Sequence, residues 1–177
     1  ARLAASANPV LAAFVVLLAE IPPGAVVLDP LCGAATLLVE AAALGGSLHL
    51  IGSDVDDRAL AAAAANLPLV PNGLLVRADA TRLPFAHGAI DRVVTNMPFG
   101  KRVGSHSGNL ALYPAFAAEL ARILAPDGRA VLMTEEKTLL TRSIAGARGL
   151  KIVREVKLAT PRGELHPSAF VVERTRA

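Results

Sequence analysis

Two patterns of apolar and polar positions follow one another in turn along most of the chain. Short apolar runs rich in Val, Ile and Leu predict buried strands, and longer stretches with Ala and Leu at helical spacing predict helices. The predicted strands are 25–29, 48–54, 74–79, 89–96 and 129–135, and the predicted helices are 9–20, 36–44, 57–67, 113–124 and 139–147. Strands alternating with helices are typical of a doubly wound α/β domain with a mostly parallel sheet.

Three residues mark the expected starts of helices. Asn8 before Pro9 gives an N-cap followed by a proline at the first helical position. Asp57 is expected to cap the third helix, and Pro114 is expected in the first turn of the fourth.

The end of the chain departs from the alternation. Two strands, 151–159 and 168–176, follow one another with only a turn containing Pro and Gly between them. They predict an antiparallel hairpin that closes one edge of the sheet. No repeat or linker interrupts the chain, so we expect one domain over 1–177.

Composition narrows the class of protein. A hydrophobic share of 53% excludes a disordered chain, and a net charge of +3 suits an anionic partner such as nucleic acid without requiring one. Cys32 is the only cysteine, and the histidines lack metal-ligand spacing, so we expect no disulfide, no metal and a cytoplasmic, reducing environment. The apolar run 10–19 is far shorter than the roughly 20 residues of a membrane span, so no membrane partner is expected.

Acidic residues end three of the predicted strands. Asp29, Asp54 and Asp79 would therefore meet at the carboxyl edge of the sheet, where doubly wound folds bind ligands. Gly33 lets the backbone approach a ligand closely, and Thr36 begins a helix whose N–H groups favour an anion or a carboxylate. In the alternative interpretation, each aspartate only caps the element that follows. The loop lacks G-x-G-x-x-G, and no Walker A loop is present, which excludes NAD and ATP.

The segment "TNMPFG", 95–100, leaves a buried strand in an unusual way. An ordinary turn accounts for Asn96 and Pro98 but not for Phe99 or the basic pair that follows. The alternative is such a turn with Phe99 in the core.

Four segments together carry a family resemblance: "DPLCGAATLLVEAA", "GSDVDDRAL", "ADATRLPF" and "TNMPFGKRVGS". The chain resembles class I S-adenosylmethionine-dependent methyltransferases. More narrowly, it resembles tRNA guanine-N2 methyltransferases that carry an upstream THUMP RNA-binding domain. The resemblance implies a Rossmann-like, seven-stranded sheet with an antiparallel last strand, and S-adenosylmethionine as cofactor. It also implies that 1–177 is a catalytic domain and a fragment lacking the RNA-binding domain.

The resemblance also assigns roles to residues. The catalytic set is Asn96, Met97, Pro98 and Phe99: the Asn96 oxygen and a backbone carbonyl near Met97 accept from a planar amino group, Pro98 stiffens the turn, and Phe99 stacks on the base. The cofactor-binding set is Asp29, Pro30, Cys32, Gly33, Thr36, Asp54, Val55, Asp56, Asp79, Ala80 and Asn96. Phe99, Gly100, Lys101 and Arg102 would contact the RNA. The stretch 103–109 would extend a mobile basic loop, with a merely solvated loop as the alternative.

One position departs from the family pattern. The chain reads Gly33-Ala34-Ala35 where the family has Gly-Ser-Gly or similar. The Cβ of Ala35 would crowd the cofactor if that residue needs a positive φ.

Three functions follow from these observations. The first is methyl transfer to guanosine N2 in tRNA, which Met97 and the following "FGKR" favour. The second is methyl transfer to adenine N6 or to a glutamine amide, and the third is a non-catalytic subunit that binds RNA or a partner. A requirement for a small activator subunit stays open.

Overall fold

The computed structural model of the chain describes residues 8–70, 72–99, 106–159 and 166–175. Its strands are β1 (Val26–Asp29), β2 (His49–Asp54), β3 (Gly73–Arg77), β4 (Ile90–Asn96), β5 (Leu124–Thr134), β6 (Leu150–Lys157) and β7 (Ser168–Arg174). Its helices are α1 (Pro9–Leu18), α2 (Thr36–Ala42), α3 (Asp57–Asn66), α4 (His106–Ile123) and α5 (Lys137–Gly146), with a 3-10 turn at Leu67–Leu69.

The strands form one seven-stranded sheet in the order β3-β2-β1-β4-β5-β7-β6. The first five strands along the chain, β1 to β5, are parallel to one another. In contrast, β7 runs antiparallel to both β5 and β6. Ser168 therefore lies opposite Thr134, so that β7 begins at the edge where the parallel strands end. The predicted α/β class, the seven strands and the antiparallel C-terminal hairpin are confirmed.

Helices cover both faces of the sheet. One hydrophobic cluster packs α1, α2 and α3 against it, and the other packs α4 and α5. The largest fully buried side chains include Tyr113, Phe116 and Leu120, which all belong to α4. Within the described ranges, no helix is long and apolar enough to span a bilayer.

Two predicted helix starts can be judged from their caps. The Asn8 side chain accepts a hydrogen bond from the Val10 amide at 2.9 Å, which confirms the predicted cap of α1. The cap of α3 is Asp56 rather than Asp57, because the Asp56 carboxylate accepts from the Arg58 amide at 2.9 Å. Asp57 is the first helical residue and pairs with exposed Arg77.

The fourth helix begins seven residues before its predicted start, at His106 rather than 113. Pro114 therefore lies inside α4, where it removes one backbone hydrogen bond, and its placement in the first turn was wrong. The prediction of a loop is also wrong for 106–109, while residues 103–105 lie outside the described residues. The early turns are stabilised by contacts of Asn109 and Tyr113 with the end of β4, which local sequence does not reveal.

The start of β5 differs as well. It begins at Leu124, which pairs with Ile90, instead of at 129. The other predicted boundaries agree within about two residues, which is the usual uncertainty of helix and strand ends.

Candidate active site

Unsatisfied polar groups concentrate at the carboxyl edge of the parallel strands. Five buried side-chain oxygens make no hydrogen bond to any described residue, and they belong to Asp29, Ser53, Thr95, Asn96 and Ser168. All five residues end strands at this edge or begin β7 beside it. Since buried polar groups are nearly always paired, the concentration of these atoms marks this edge as the candidate binding site.

The loop between β1 and α2 is fastened to its neighbours by hydrogen bonds. The Gly33 amide donates to Asp54 Oδ2 at 3.0 Å, and the Cys32 amide donates to the Ser53 carbonyl at 2.9 Å. The Asn66 side chain donates to the Ala34 carbonyl at 2.9 Å. These bonds hold the loop against β2 and α3, so that Gly33 and the start of α2 face the edge in a fixed conformation.

Ala35 adopts the left-handed conformation, with φ 61° and ψ 28°, and is fully buried. The condition under which its Cβ was expected to matter is therefore met. An L-residue in this conformation loses about 1–2 kcal/mol relative to its preferred one, whereas glycine does not.

We expect Ala35→Gly to raise the free energy of unfolding by about 0.5–1 kcal/mol, since relief of strain exceeds the added chain entropy of glycine. Urea unfolding measures this difference. Ala34→Gly is the matched control, because Ala34 is buried in the same loop but has no positive φ, and it should destabilise the protein. If Ala35→Gly and Ala34→Gly lowered the free energy of unfolding equally, the backbone of Ala35 would not be strained.

Asp29 is the most deeply buried acid of the site. Its Oδ1 accepts from the Leu31 amide at 3.2 Å, and its Oδ2 has no partner among the described residues. Burial raises the pKa of Asp29 to about 7, and the charge of Asp54 adds to that shift, while the nearby Thr95 hydroxyl and the Leu31 amide oppose it. Burial and the same two acids also raise the pKa of the Cys32 thiol, so Cys32 is a neutral filler of the loop.

The shifted carboxyl group makes stability depend on pH. Between its ordinary pKa of 3.8 and about 7, the folded state holds the Asp29 proton more tightly than the unfolded chain does, so raising the pH favours unfolding. We expect this group to contribute a loss of about 2–3 kcal/mol from pH 5 to pH 8. Urea unfolding of the ligand-free protein at both pH values should show a larger drop in the wild type than in Asp29→Asn. Equal drops would contradict the shift.

The remaining strand-end acids share one local geometry. Asp54 Oδ1 accepts from the Asp56 amide at 3.0 Å, and Asp79 Oδ1 accepts from both the amide and the hydroxyl of Thr81 at 2.8 Å. The bonds to Thr81 lower the pKa of Asp79. Each acid thus uses one oxygen to close a turn, as the alternative interpretation expected, yet a carboxylate has two oxygens and further lone pairs. Val55 lies between Asp54 and Asp56 in the sequence, and 60% of its surface is exposed.

The loop after β3 is held by α4. Leu83 donates its amide to Glu119 Oε1 at 2.6 Å, and Arg122 donates to the carbonyls of Leu83 and Phe85 at 2.9 and 2.6 Å. Glu119 and Arg122 also pair with each other at 2.6 Å. Ala80 and Leu83 therefore form a buried wall beside Asp79.

The turn after β4 presents an acceptor and is held from two sides. Asn96 Oδ1 is buried without a partner among the described residues, and the Met97 amide donates to the Met133 carbonyl at 2.9 Å. The Pro98 carbonyl accepts from Asn109 Nδ2 at 2.9 Å and from Tyr113 Oη at 2.8 Å.

Phe99 is half-buried, so it is neither a full core residue nor a free one. Gly100, Lys101 and Arg102, which were expected to contact RNA, lie outside the described residues.

Sequence reasoning missed the residues that support this turn. Asn109 and Tyr113 are buried and lie four positions apart, hence on one face of α4. That spacing was a usable signal, but it required a helix starting before Pro114. Thr134 at the end of β5 was also missed. In the described part of the chain, no three His, Cys, Asp or Glu side chains gather to hold a metal ion.

The chain is similar in sequence to known proteins. Residues 2–161 match the sequence family described as "RMKL-like, methyltransferase domain". The chain is 35% identical over 180 residues to the tRNA (guanine(6)-N2)-methyltransferase of Thermus thermophilus, covering 98% of this chain and 52% of that protein. It is also 35% identical over 126 residues to the bovine U6 snRNA (guanine-N(2))-methyltransferase THUMPD2, covering 67% of this chain and 24% of that protein.

A solved structure extends the likeness to three dimensions. The crystal structure of TrmN from Thermus thermophilus superposes with a TM-score of 0.82 at 32% identity, covering 97% of this chain and 50% of that one. The chain thus spans about half the length of the Thermus relative that it matches.

Proposed function

Because the chain belongs to the RMKL-like methyltransferase domain family, we propose that it transfers a methyl group from S-adenosylmethionine to the exocyclic N2 of guanosine in RNA, with tRNA as the substrate. The observation that carries this proposal is Asn96 Oδ1, a buried acceptor in the turn beyond β4 that makes no hydrogen bond to any described residue. Two relatives that the chain matches in sequence are named guanine-N2 methyltransferases, which supports the choice of nitrogen.

The cofactor fits the acidic edge of the sheet. The unpartnered Oδ2 of Asp29 suits the ammonium of the methionine part, with Pro30, Cys32, Gly33 and Thr36 lining it. Asp54 and Asp56 follow β2, where an acid accepts from ribose hydroxyls, with exposed Val55 beside the adenine. Asp79 and Ala80 are assigned to the adenine amino group. S-adenosylmethionine supplies an electrophilic methyl group on a sulfonium, with a thioether as leaving group.

The turn 96–99, called the acceptor turn below, would orient an amino group that is a poor nucleophile. The lone pair of an exocyclic amine is delocalised into the purine ring, so its nitrogen must become more tetrahedral before it attacks. Asn96 Oδ1 and the backbone carbonyl of Met97 each accept a hydrogen bond from one N–H of the amine. These two bonds direct the lone pair of the nitrogen toward the methyl carbon. Positioning of this kind supplies most of the rate of a direct displacement.

The transfer balances without a protein base. The nitrogen forms a bond to the methyl carbon as the carbon–sulfur bond breaks, and the electron pair returns to sulfur. The methylated nitrogen is then acidic and loses its proton to water, since the Asn96 amide cannot take it.

Recognition of the RNA extends beyond the turn. Phe99 stacks on the base, which is worth about 1–3 kcal/mol, and Gly100, Lys101 and Arg102 contact phosphate and base. We further propose that a THUMP RNA-binding domain precedes this domain in the full protein. The proposed setting is the cytoplasm, and a small activator subunit is a candidate partner.

Methyl transfer from labelled S-adenosylmethionine to unmodified tRNA and U6 snRNA transcripts tests the function, followed by mass analysis of the nucleosides. N2-methylguanosine in tRNA is the expected product, whereas N2-methylguanosine confined to U6 snRNA would change the substrate. N6-methyladenosine would move the chemistry to adenine. Cofactor binding by calorimetry without any product would point to the missing RNA-binding region or an absent partner, whereas failure to bind the cofactor would favour the non-catalytic subunit.

A further inference from the structure

We propose that Asn109, Tyr113 and Thr134 are positioning residues that set the orientation of the acceptor turn 96–99. The proposal rests on the proposed function and adds a role for three buried side chains that do not touch the substrate. Asn109 and Tyr113, both on α4, donate to one atom, the Pro98 carbonyl oxygen. Thr134, at the end of β5, contacts the Tyr113 hydroxyl.

The hydrogen bonds of this cluster have only one consistent direction. The Tyr113 hydroxyl donates its proton to the Pro98 carbonyl at 2.8 Å, so in its 2.6 Å contact with Thr134 it must accept. Thr134 Oγ1 in turn accepts from the Glu136 amide at 3.0 Å. The result is a directed chain from Glu136 N–H through two hydroxyls to Pro98.

Burial keeps this chain intact across the physiological pH range. Tyr113 and Thr134 are fully buried, and Asn109 is 1% exposed. Burial raises the pKa of the Tyr113 hydroxyl further above its usual value, so the group remains a neutral donor.

Saturating the Pro98 carbonyl has a chemical consequence. Asn109 and Tyr113 fill both of its lone pairs, so this oxygen is withheld from the substrate amine. The Met97 carbonyl is then the backbone acceptor that works with Asn96. The Met97 amide is itself fixed on Met133, the residue before Thr134, so β5 holds the turn at two successive residues.

A role in positioning differs from ordinary packing because it depends on hydroxyl groups rather than on volume. Phenylalanine fills the space of Tyr113, and valine fills that of Thr134, yet each breaks the directed chain. Displacement of reacting atoms by about 1 Å costs on the order of a hundredfold in rate, so loss of one bond should appear in kcat.

The test compares Tyr113→Phe and Thr134→Val with the wild type in steady-state methyl transfer to the RNA that the wild type modifies. We expect kcat to fall about 10–100-fold, with KM for RNA and Kd for S-adenosylmethionine within about twofold. The double variant should be no slower than Tyr113→Phe alone, because both changes break one chain. Thr134→Ser, which keeps the hydroxyl, should restore most of the rate.

Ser143→Ala is the matched control for stability. Ser143 is a buried hydroxyl that donates to the Leu139 carbonyl at 2.8 Å within α5, away from the turn. It should lower the melting temperature by a similar amount without lowering kcat. Unchanged kcat in Tyr113→Phe and Thr134→Val, or a fall that the control shares, would overturn the positioning role.

A second readout does not need methyl transfer. Hydrogen–deuterium exchange should accelerate at the Met97 amide in Tyr113→Phe and Thr134→Val, but not in Ser143→Ala. If the wild type methylates no RNA, this comparison still decides whether the cluster holds the turn. Unchanged exchange in Tyr113→Phe would overturn it.

Discussion

Replacing Asn96 with alanine should lower methyl transfer by at least about 10²–10³-fold, while the affinity for S-adenosylmethionine stays within about twofold. The estimate follows from removing one buried, preorganised hydrogen-bonding group at a reacting centre. Asn96 Oδ1 has no partner among the described residues, so its loss breaks no hydrogen bond between them. Single-turnover rates and calorimetric titration of the cofactor measure the two quantities separately.

Asn96→Asp provides the matched comparison, because a carboxylate oxygen can accept the same hydrogen bond from the amine in nearly the same volume. It should retain more activity than Asn96→Ala. If alanine removed cofactor binding together with catalysis, the turn would be a structural element and not an acceptor site.

Asp54→Ala should do the reverse and weaken cofactor binding by at least about a hundredfold. Hydrogen bonds to a charged group contribute about 1.5–3 kcal/mol each, and the carboxylate is assigned to two ribose hydroxyls. The substitution also releases the Gly33 amide, which Asp54 Oδ2 holds at 3.0 Å, so the loop beside the methionine part loosens as well. Calorimetric titration with S-adenosylmethionine measures the effect.

Two further variants separate these causes. Asp54→Asn keeps an acceptor for the Gly33 amide but loses the charge, so its affinity should fall between those of wild type and Asp54→Ala. Asp57→Ala removes an exposed acid, paired only at the surface with Arg77, and should leave the affinity unchanged. An affinity in Asp54→Ala equal to that of Asp57→Ala would rule out the ribose assignment.

The sequence predicted the sheet well because its signals are local or topological. Apolar, β-branched runs mark buried strands, and carboxyl ends of parallel strands meet at one edge, so Asp29, Asp54 and Asp79 could be placed together before any coordinates. The paired strands at the end of the chain likewise predicted the antiparallel edge.

The start of α4 could not be predicted in the same way. Pro114 is a strong local signal for a helix start, and it was misleading here. What stabilises the preceding turns is the contact of Asn109 and Tyr113 with the Pro98 carbonyl, a tertiary interaction. For the same reason, the sequence did not reveal that Asn109 and Tyr113 hold the acceptor turn.

The two interpretations of the strand-end acids were posed as alternatives, and the geometry makes them compatible. Asp54 closes a turn with Oδ1 and fixes the neighbouring loop with Oδ2. Short-range turn chemistry therefore does not argue against a ligand, because it also orients the carboxylate. The conformation of Ala35, in contrast, needed the coordinates, since no local pattern requires a left-handed alanine.

The helix α4 contacts both the acceptor turn and the buried wall beside Asp79. Asn109 and Tyr113 hold the acceptor turn, and Glu119 and Arg122 hold the wall beside Asp79. Each residue of a helix adds about 1.5 Å of rise and about 100° of rotation. A single insertion between Tyr113 and Glu119 would therefore turn one pair away from its target while the other stayed in place. The segment 109–122 should therefore accept changes in sequence more readily than changes in length.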